Sequence, residues 1–244
     1  MTSKRIPRGI TFQPDIYPKV LSLLPKRRIK MLDVGAGEGY FTRLAQQQGH
    51  DVEACDVRPE DFTADAPFHC VDSNGSLPLP DESFDYVVSI EVIEHIENHP
   101  HFVNELFRVT RKGGTVIITT PNILNIPSRW YFFATGYDDC APRPIIPMRE
   151  AYDLQHINPI GLPRLMLLIE RAGGELVELH TNRMRKGAWP WMTLYPLFVL
   201  LLRRALLGKK YNDRLPLHHR HMHWMLKREN LMGRITIAVA RRIN

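Results

Sequence analysis

The sequence predicts an α/β fold with a doubly wound sheet. The first observation is an apolar run at residues 29–34, which is typical of a strand buried on both faces. Three glycines at every second position follow it, and a helical pattern then covers residues 40–48. Further short strand patterns alternate with helical ones along the chain, as they do in parallel sheets with crossover helices.

The glycine-rich turn between this strand and helix indicates a ligand site. Glycine has no Cβ, so a ligand can reach the backbone, and the next helix begins with unpaired N–H groups. The spacing is Gly-x-Gly-x-Gly, from Gly35 to Gly39, rather than the Gly-x-Gly-x-x-Gly of dinucleotide-binding folds. The carboxylates of Asp33 and Glu38 would repel a pyrophosphate but suit a ligand with an ammonium or sulfonium group.

The remaining elements of the predicted sheet follow in order. Further strands are expected at residues 51–56, 68–71, 84–90, 115–120, 176–179 and 235–240. Helices are expected at residues 102–109, which a glycine turn at residues 111–114 ends, and at residues 162–172. Asp56 ends the second strand, where nucleotide-binding sheets place an acid that accepts hydrogen bonds from both ribose hydroxyls.

The length of 244 residues predicts one large domain. Residues 1–28 are expected to form a helical cap that covers either the core or the cofactor. Residues 29–244 are expected to form a single domain with substrate-side insertions at about 123–160 and 182–233. The three cysteines form no spaced pair and no secretory signal is recognisable, so we expect a reducing, cytoplasmic compartment.

These motifs resemble those of the class I S-adenosylmethionine (SAM) methyltransferases. Residues 35–39 resemble the first motif of that family, and residues 72–85 resemble its stretch between the third and fourth strands. The resemblance implies a Rossmann-like methyltransferase fold with seven strands in the order 3-2-1-4-5-7-6, the last one antiparallel. It implies that SAM is bound by Asp33, Gly35, Ala36, Gly37, Gly39, Asp56, Val57, Asp72, Ser73 and Glu91.

A second group of chemically active residues follows the fourth strand. Glu91, Glu94 and His95 have the spacing i, i+3, i+4, and would project from one face of a helix. Two carboxylates and an imidazole suit Mg²⁺ or Mn²⁺. Glu-x-x-Glu-His resembles ubiquinone-biosynthesis O-methyltransferases and small-RNA 3′-terminal 2′-O-methyltransferases, in which these residues bind a divalent metal.

The RNA enzymes add a second histidine, and His156 here lies 61 residues after His95. The resemblance therefore implies a metal site of Glu91, Glu94, His95 and His156. In the alternative, no metal is bound, and His95 or His156 acts as the general base beside Glu91. The residues leave both alternatives open.

Charge is distributed unevenly along the chain. The net charge is +6 over residues 1–29, −10 over residues 30–122 and +10 over residues 123–244. Basic flanks favour an anionic partner, such as a phosphate, a lipid headgroup or a nucleic acid, although a solvated basic face has the same composition. An apolar run with basic residues at about 189–210 is too short to span a bilayer. It predicts a helix that lies at an anionic membrane surface or packs over the core.

The leading functional hypothesis is SAM-dependent O-methylation of a small-molecule, lipid-linked or glycan hydroxyl. Such an enzyme is expected in the cytoplasm, at the inner membrane surface if the 189–210 helix meets lipid. A second hypothesis is metal-dependent RNA 2′-O-methylation, which the Glu-x-x-Glu-His motif and the basic flanks favour. A third is a SAM-binding protein without catalytic activity.

Overall fold

The structure, a computed structural model, describes residues 15–72, 75–138, 156–206 and 215–244. It contains a seven-stranded sheet in the order β3-β2-β1-β4-β5-β7-β6. The strands are β1 (Lys30–Val34), β2 (Asp51–Asp56), β3 (Phe68–Cys70), β4 (Phe84–Ile90), β5 (Thr110–Pro121), β6 (Gly174–His180) and β7 (Ile235–Arg242). Strands β1 to β5 are parallel, whereas β7 is antiparallel to both β5 and β6. The predicted fold class and strand order are confirmed.

Eight α-helices lie within the described residues. They are α1 (Ile16–Leu21), α2 (Tyr40–Gln47), α3 (His99–Val109), α4 (Ile126–Thr135), α5 (Leu162–Arg171), α6 (Tyr195–Leu206), α7 (Leu215–Met225) and α8 (Arg228–Met232). None of the helices in these residues is long and apolar enough to cross a membrane.

Alternate side chains of the strands pack into two buried clusters on opposite faces of the sheet. Leu32 of β1 belongs to the cluster that α3 and α5 cover, whereas its neighbour Met31 belongs to the one that α1 and α2 cover. Helices thus cover both faces, which is why the central strands are largely apolar. The predicted N-terminal cap includes α1, whose Ile16 and Val20 are buried in the second cluster.

The predicted glycine turn after α3 is wrong. Helix α3 ends at Val109, and β5 begins at the next residue. Residues 111–114 instead form an irregularity within β5, because the register with β4 changes from Phe84 opposite Thr110 to Tyr86 opposite Thr115. Gly113 has a φ of +74°, which lets the backbone bend outward without ending the strand.

A third apolar cluster joins α4, α6 and α8, outside the main sheet. Ile126, Leu231 and Met232 form its buried part, and Tyr195 and Phe198 of α6 pack against it. Helix α4 follows the carboxyl end of β5, and α8 precedes β7. These three helices therefore lie beside the carboxyl edge of the sheet, where open α/β sheets bind their ligands. They belong to the segments predicted as insertions, of which residues 139–155 and 207–214 lie outside the described residues.

Candidate active site

The glycine turn after β1 packs against protein at Gly35 and Gly39 and faces open space at Gly37. Gly35, Gly37 and Gly39 have φ values of +78°, +52° and +76°, in the left-handed region that favours glycine. A Cβ on Gly35 would overlap the side chain of Val92. A Cβ on Gly37 would meet no atom within 4 Å. The backbone at Gly37 is therefore open to a ligand, whereas Gly35 is needed for packing.

Asp56 holds the glycine turn to the end of β2. Its Oδ2 accepts a hydrogen bond from the Gly37 N–H at 2.8 Å, and its Oδ1 accepts one from the Arg58 N–H at 3.2 Å. Val57 has 45% of its side chain exposed, and Asp72 is also exposed after β3. The structure thus places Asp56, Val57 and Asp72 at the carboxyl ends of β2 and β3. Ser73, the other predicted cofactor residue here, lies outside the described residues.

Asp33 is buried near the carboxyl end of β1. Its Oδ2 accepts a hydrogen bond of 2.6 Å from the hydroxyl of Thr42 on α2. Burial raises the pKa of the Asp33 carboxyl to about 7, the nearby charge of Asp56 raises it further, and the Thr42 hydrogen bond opposes both. This carboxyl therefore titrates near neutral pH, and a cation bound nearby would favour its ionised form.

Glu91 follows β4 in a conformation that the sequence does not predict. Its φ is +56°, and only Ile93–His95 form a single 3₁₀ turn, so the helical spacing of Glu91, Glu94 and His95 is not realised. The Glu91 carboxyl accepts a 2.8 Å hydrogen bond from the Thr119 hydroxyl, which itself accepts one from the Glu91 N–H at 3.0 Å. Burial raises the pKa of Glu91 to about 7, against the effect of the Thr119 hydrogen bond.

Glu94, His95 and His156 form a cluster with the chemistry of a metal site. Their ligand atoms all lie within 4.8 Å of one another. The two imidazole rings are 5.0 Å apart, and the Nε2 of His156 lies 4.0 Å from the Glu94 Oε1. Glu91, the fourth predicted ligand, bonds to Thr119 and does not belong to this group.

The Glu94 carboxyl is the unusual member of this cluster. It is fully buried, and neither of its oxygens has a hydrogen-bond partner in the part of the chain that the structure describes. Burial, and then the charge of Glu91, raise its pKa well above the usual value. Burial and the neighbouring His95 lower the pKa of His156, so its imidazole is neutral at pH 7. A divalent cation would satisfy both the buried oxygens and the neutral imidazole of His156.

Comparison with known proteins identifies the family to which this site belongs. Residues 32–118, which include the glycine turn, Asp56 and Glu94, match the family model described as "Methyltransferase domain". Over these residues the chain is similar to a methyltransferase domain. The predicted family resemblance is therefore confirmed.

Curated relatives of the methyltransferase domain have matching names. A "Probable S-adenosylmethionine-dependent methyltransferase" of Mycolicibacterium smegmatis is 32% identical over 153 residues, which are 61% of this chain and 52% of the relative. A "Ubiquinone biosynthesis O-methyltransferase" of Psychrobacter cryohalolentis is 28% identical over 174 residues, which are 66% of this chain and 65% of that protein. The chain thus spans about half to two thirds of the length of these curated relatives.

Solved structures share the fold of the methyltransferase domain. A SAM-dependent methyltransferase from Mesorhizobium loti superposes with a TM-score of 0.57 at 14% sequence identity. The match covers 93% of this chain and 98% of that one. At this identity the likeness shows the fold alone.

The structure adds three residues to this site that the sequence analysis missed. The ring of Tyr17 lies 5.2 Å from that of Tyr40, and burial and then the charges of Asp33 and Glu91 raise the pKa of its phenol. Helix α1 therefore both caps the core and borders the candidate site at Asp33 and Glu91. The amphipathic pattern predicted a helix here, but it gave no indication that the helix contacts Tyr40.

Thr119 and Asn158 are the other two site residues that the sequence did not predict. Thr119 bonds to Glu91 from the neighbouring strand. The Asn158 N–H donates to the Glu94 carbonyl at 3.0 Å, and its side-chain amide donates to the Ile96 and Glu97 carbonyls, both at 3.1 Å. These bonds bring His156, two residues earlier, to the turn that carries Glu94.

The contribution of Asp33 to the free energy of unfolding of the ligand-free protein should fall as the pH rises from about 5 to about 7. The pKa of Asp33 is about 7 in the folded protein and about 3.9 in an unfolded chain. The stability that it confers is complete below the unfolded pKa and is lost as the pH rises through the folded one. Asp33→Asn keeps an acceptor for Thr42 without a charge, so it should reduce the slope by roughly 1 kcal/mol per pH unit. Urea denaturation at stepped pH measures this, and an unchanged slope in the variant would contradict it.

Proposed function

We propose that the protein is a SAM-dependent methyltransferase that methylates a hydroxyl oxygen. The observation that carries this proposal is the open backbone at Gly37, which the Asp56 carboxylate holds in place. The carboxyls of Asp33 and Glu91, which titrate near neutral pH, lie close to it. A ligand with a ribose, an ammonium group and a sulfonium group matches this combination of acceptors and negative charge. The name of the Mycolicibacterium smegmatis relative supports the same cofactor.

The residues present fit SAM. Asp56 is placed to accept hydrogen bonds from the ribose hydroxyls, since each of its oxygens retains an acceptor site beside its backbone donor. The exposed Val57 offers apolar surface to the adenine, and Asp72 offers a carboxylate to the adenine amino group. Bound SAM would supply an electrophilic methyl group on its sulfonium.

The acceptor hydroxyl must lose its proton as its oxygen attacks the methyl group in line. The products are a methyl ether, S-adenosylhomocysteine and a proton. If no metal is bound, the neutral imidazole of His156 can take that proton at a ring nitrogen, and His95 lies beside it. Much of the rate would come from holding the oxygen and the methyl group in attack geometry.

Glu94, His95 and His156 are the residues that would hold Mg²⁺ or Mn²⁺. The fully buried Glu94 carboxyl, which has no hydrogen-bond partner in the described residues, supports this. Bound there, the metal would lower the pKa of an acceptor hydroxyl. The same cluster favours a second candidate function, RNA 2′-O-methylation, because the two histidines match the pattern of the small-RNA enzymes. A SAM-binding protein without catalysis is the third.

We infer that the acceptor is a small molecule, a lipid-linked intermediate or a glycan. Exposed aromatic side chains of α4, including Trp130 and Phe133, follow the carboxyl end of β5 and suit a partly apolar acceptor. The name of one relative, "Ubiquinone biosynthesis O-methyltransferase", supports a small-molecule oxygen as the acceptor.

Gly37→Ala should weaken SAM binding while the protein still folds. Its new Cβ would occupy the open space that the cofactor needs, and the left-handed φ costs only about 1 kcal/mol. Gly49→Ala is a matched control, because Gly49 also has a positive φ, of +89°, with no atom within 4 Å, but lies in the turn after α2. Calorimetric titration should show SAM affinity reduced at least about tenfold in the first variant alone. Equal affinity in both variants would contradict the proposed cofactor site.

Glu94→Gln should remove divalent-metal binding while SAM affinity stays unchanged. The amide is close in shape to the carboxyl but has no charge with which to hold the cation. Glu97→Gln serves as the control, because Glu97 is exposed on the same turn. Paramagnetic resonance of Mn²⁺ measures binding without reference to activity. If the wild type leaves Mn²⁺ free and turns over fully in chelator, the metal proposal is wrong and the histidines act without it.

The acceptor class can be tested with SAM labelled in its methyl group. Purified protein is added to a cell extract with Mg²⁺, and organic-soluble, small polar and RNA fractions are separated. Label in the organic or polar fraction is the expected result. Label in RNA would favour the second candidate function. Protein that binds SAM but labels no fraction would favour the non-catalytic alternative.

A further inference from the structure

Helix α6 is apolar on its exposed side as well as on its packed side. Tyr195 and Phe198 pack against the cluster around Leu231. Leu197, Leu200 and Leu201 have the spacing i, i+3, i+4 and are all exposed, Leu200 to 63%. A helix that is apolar all round is normally buried on all sides. Here one apolar side has no cover within the described residues.

Helix α4 adds exposed aromatic rings to the same region. Its Ile126 is buried in the cluster that α6 also covers. Trp130 and Phe133 face outward with their rings stacked at 5.5 Å, and Phe133 is 79% exposed. The two helices are also linked directly, because the guanidinium of Arg129 lies 6.0 Å from the centre of the Phe198 ring. We call Trp130, Phe132, Phe133, Leu197, Leu200 and Leu201 the α4–α6 surface.

The charges within residues 182–206 are all positive. Residues 182–206 contain five Arg or Lys residues and no Asp or Glu. Arg203 and Arg204 are exposed in the last turn of α6, next to Leu200 and Leu201. Arginine can lay its aliphatic stem on apolar surface and extend its charge to a polar boundary. This basic end of α6 complements anionic headgroups.

We propose that the α4–α6 surface docks on an anionic lipid membrane. The aromatic and leucine side chains would enter the boundary between headgroups and acyl chains, while Arg203 and Arg204 contact the headgroups. Because α6 has only 12 residues, it would lie on the bilayer rather than cross it. Docking itself does not depend on the proposed methyl transfer.

Docking would also place the proposed active site close to lipid. Helix α4 begins just beyond β5, and the Asn125 side chain caps it by accepting from the Ser128 N–H at 3.0 Å. The docked face therefore adjoins the carboxyl edge of the sheet. This consequence rests on the proposed function: an acceptor anchored in the bilayer could reach the site without leaving the membrane.

Sedimentation of the full chain with vesicles tests the proposal. Phosphatidylcholine vesicles with and without phosphatidylglycerol are compared at about 0.15 M ionic strength. We expect binding to the anionic vesicles only. The double variant Leu200→Glu/Leu201→Glu should weaken this binding at least about tenfold, because it places charge in the apolar contact. Arg203→Ala/Arg204→Ala should weaken it by about tenfold or more and reduce its dependence on salt.

Leu167→Glu is the matched control, because Leu167 is an exposed leucine on α5, away from this surface. It should bind vesicles as the wild type does, and SAM binding by all variants should be unchanged. Absence of wild-type binding to the anionic vesicles would overturn the proposal, as would equal losses in the control. A lipid-free dimer that Leu200→Glu/Leu201→Glu converts to a monomer in light scattering would also overturn it, in favour of a second copy as the occupant.

Discussion

The site depends on carboxyl groups that the fold buries at the carboxyl ends of two central strands without a basic partner. Asp33, Glu91 and Glu94 form no ion pair with a Lys or Arg among the described residues, and all three have raised pKa values. Burying a charge is costly unless an opposite charge compensates it. Without a bound cation, these carboxyls therefore keep their protons to a higher pH than ordinary carboxyls do. A bound cation is the natural replacement for those protons.

Two kinds of cation match this constraint at different positions. The sulfonium and ammonium groups of SAM would act near Asp33 and Glu91, beside the open backbone of Gly37. A divalent metal would act at Glu94, where two imidazoles complete the donor set. The two positions are distinct because the Glu91 carboxyl accepts a hydrogen bond from Thr119 on β5. Glu91 therefore does not belong to the cluster of Glu94, His95 and His156. Cofactor and acceptor would then meet between the carboxyls of Asp33 and Glu91 on one side and that of Glu94 on the other.

Much of the fold could be predicted from the sequence, because each central strand is a short apolar run with turn residues at its ends. The glycine turn and Asp56 were found for the same reason, since their role is local to a strand end. The side chain of Glu91 could not be placed from spacing, because its left-handed backbone breaks the assumed helix. Tyr17 and Asn158 reach the site through contacts between distant segments, which no local pattern records.

Calorimetric titration with SAM and S-adenosylhomocysteine tests the central claim most directly. The two ligands differ in the methyl group and the sulfonium charge, so a site organised around uncompensated carboxyls should distinguish them. The titrations are made near neutral pH in two buffers of different ionisation enthalpy. SAM should bind more tightly than S-adenosylhomocysteine and release protons on binding. The ratio of the two affinities should increase with pH. S-adenosylhomocysteine should release fewer protons. Equal affinities with no proton release would contradict the claim that the buried carboxyls select a cationic ligand.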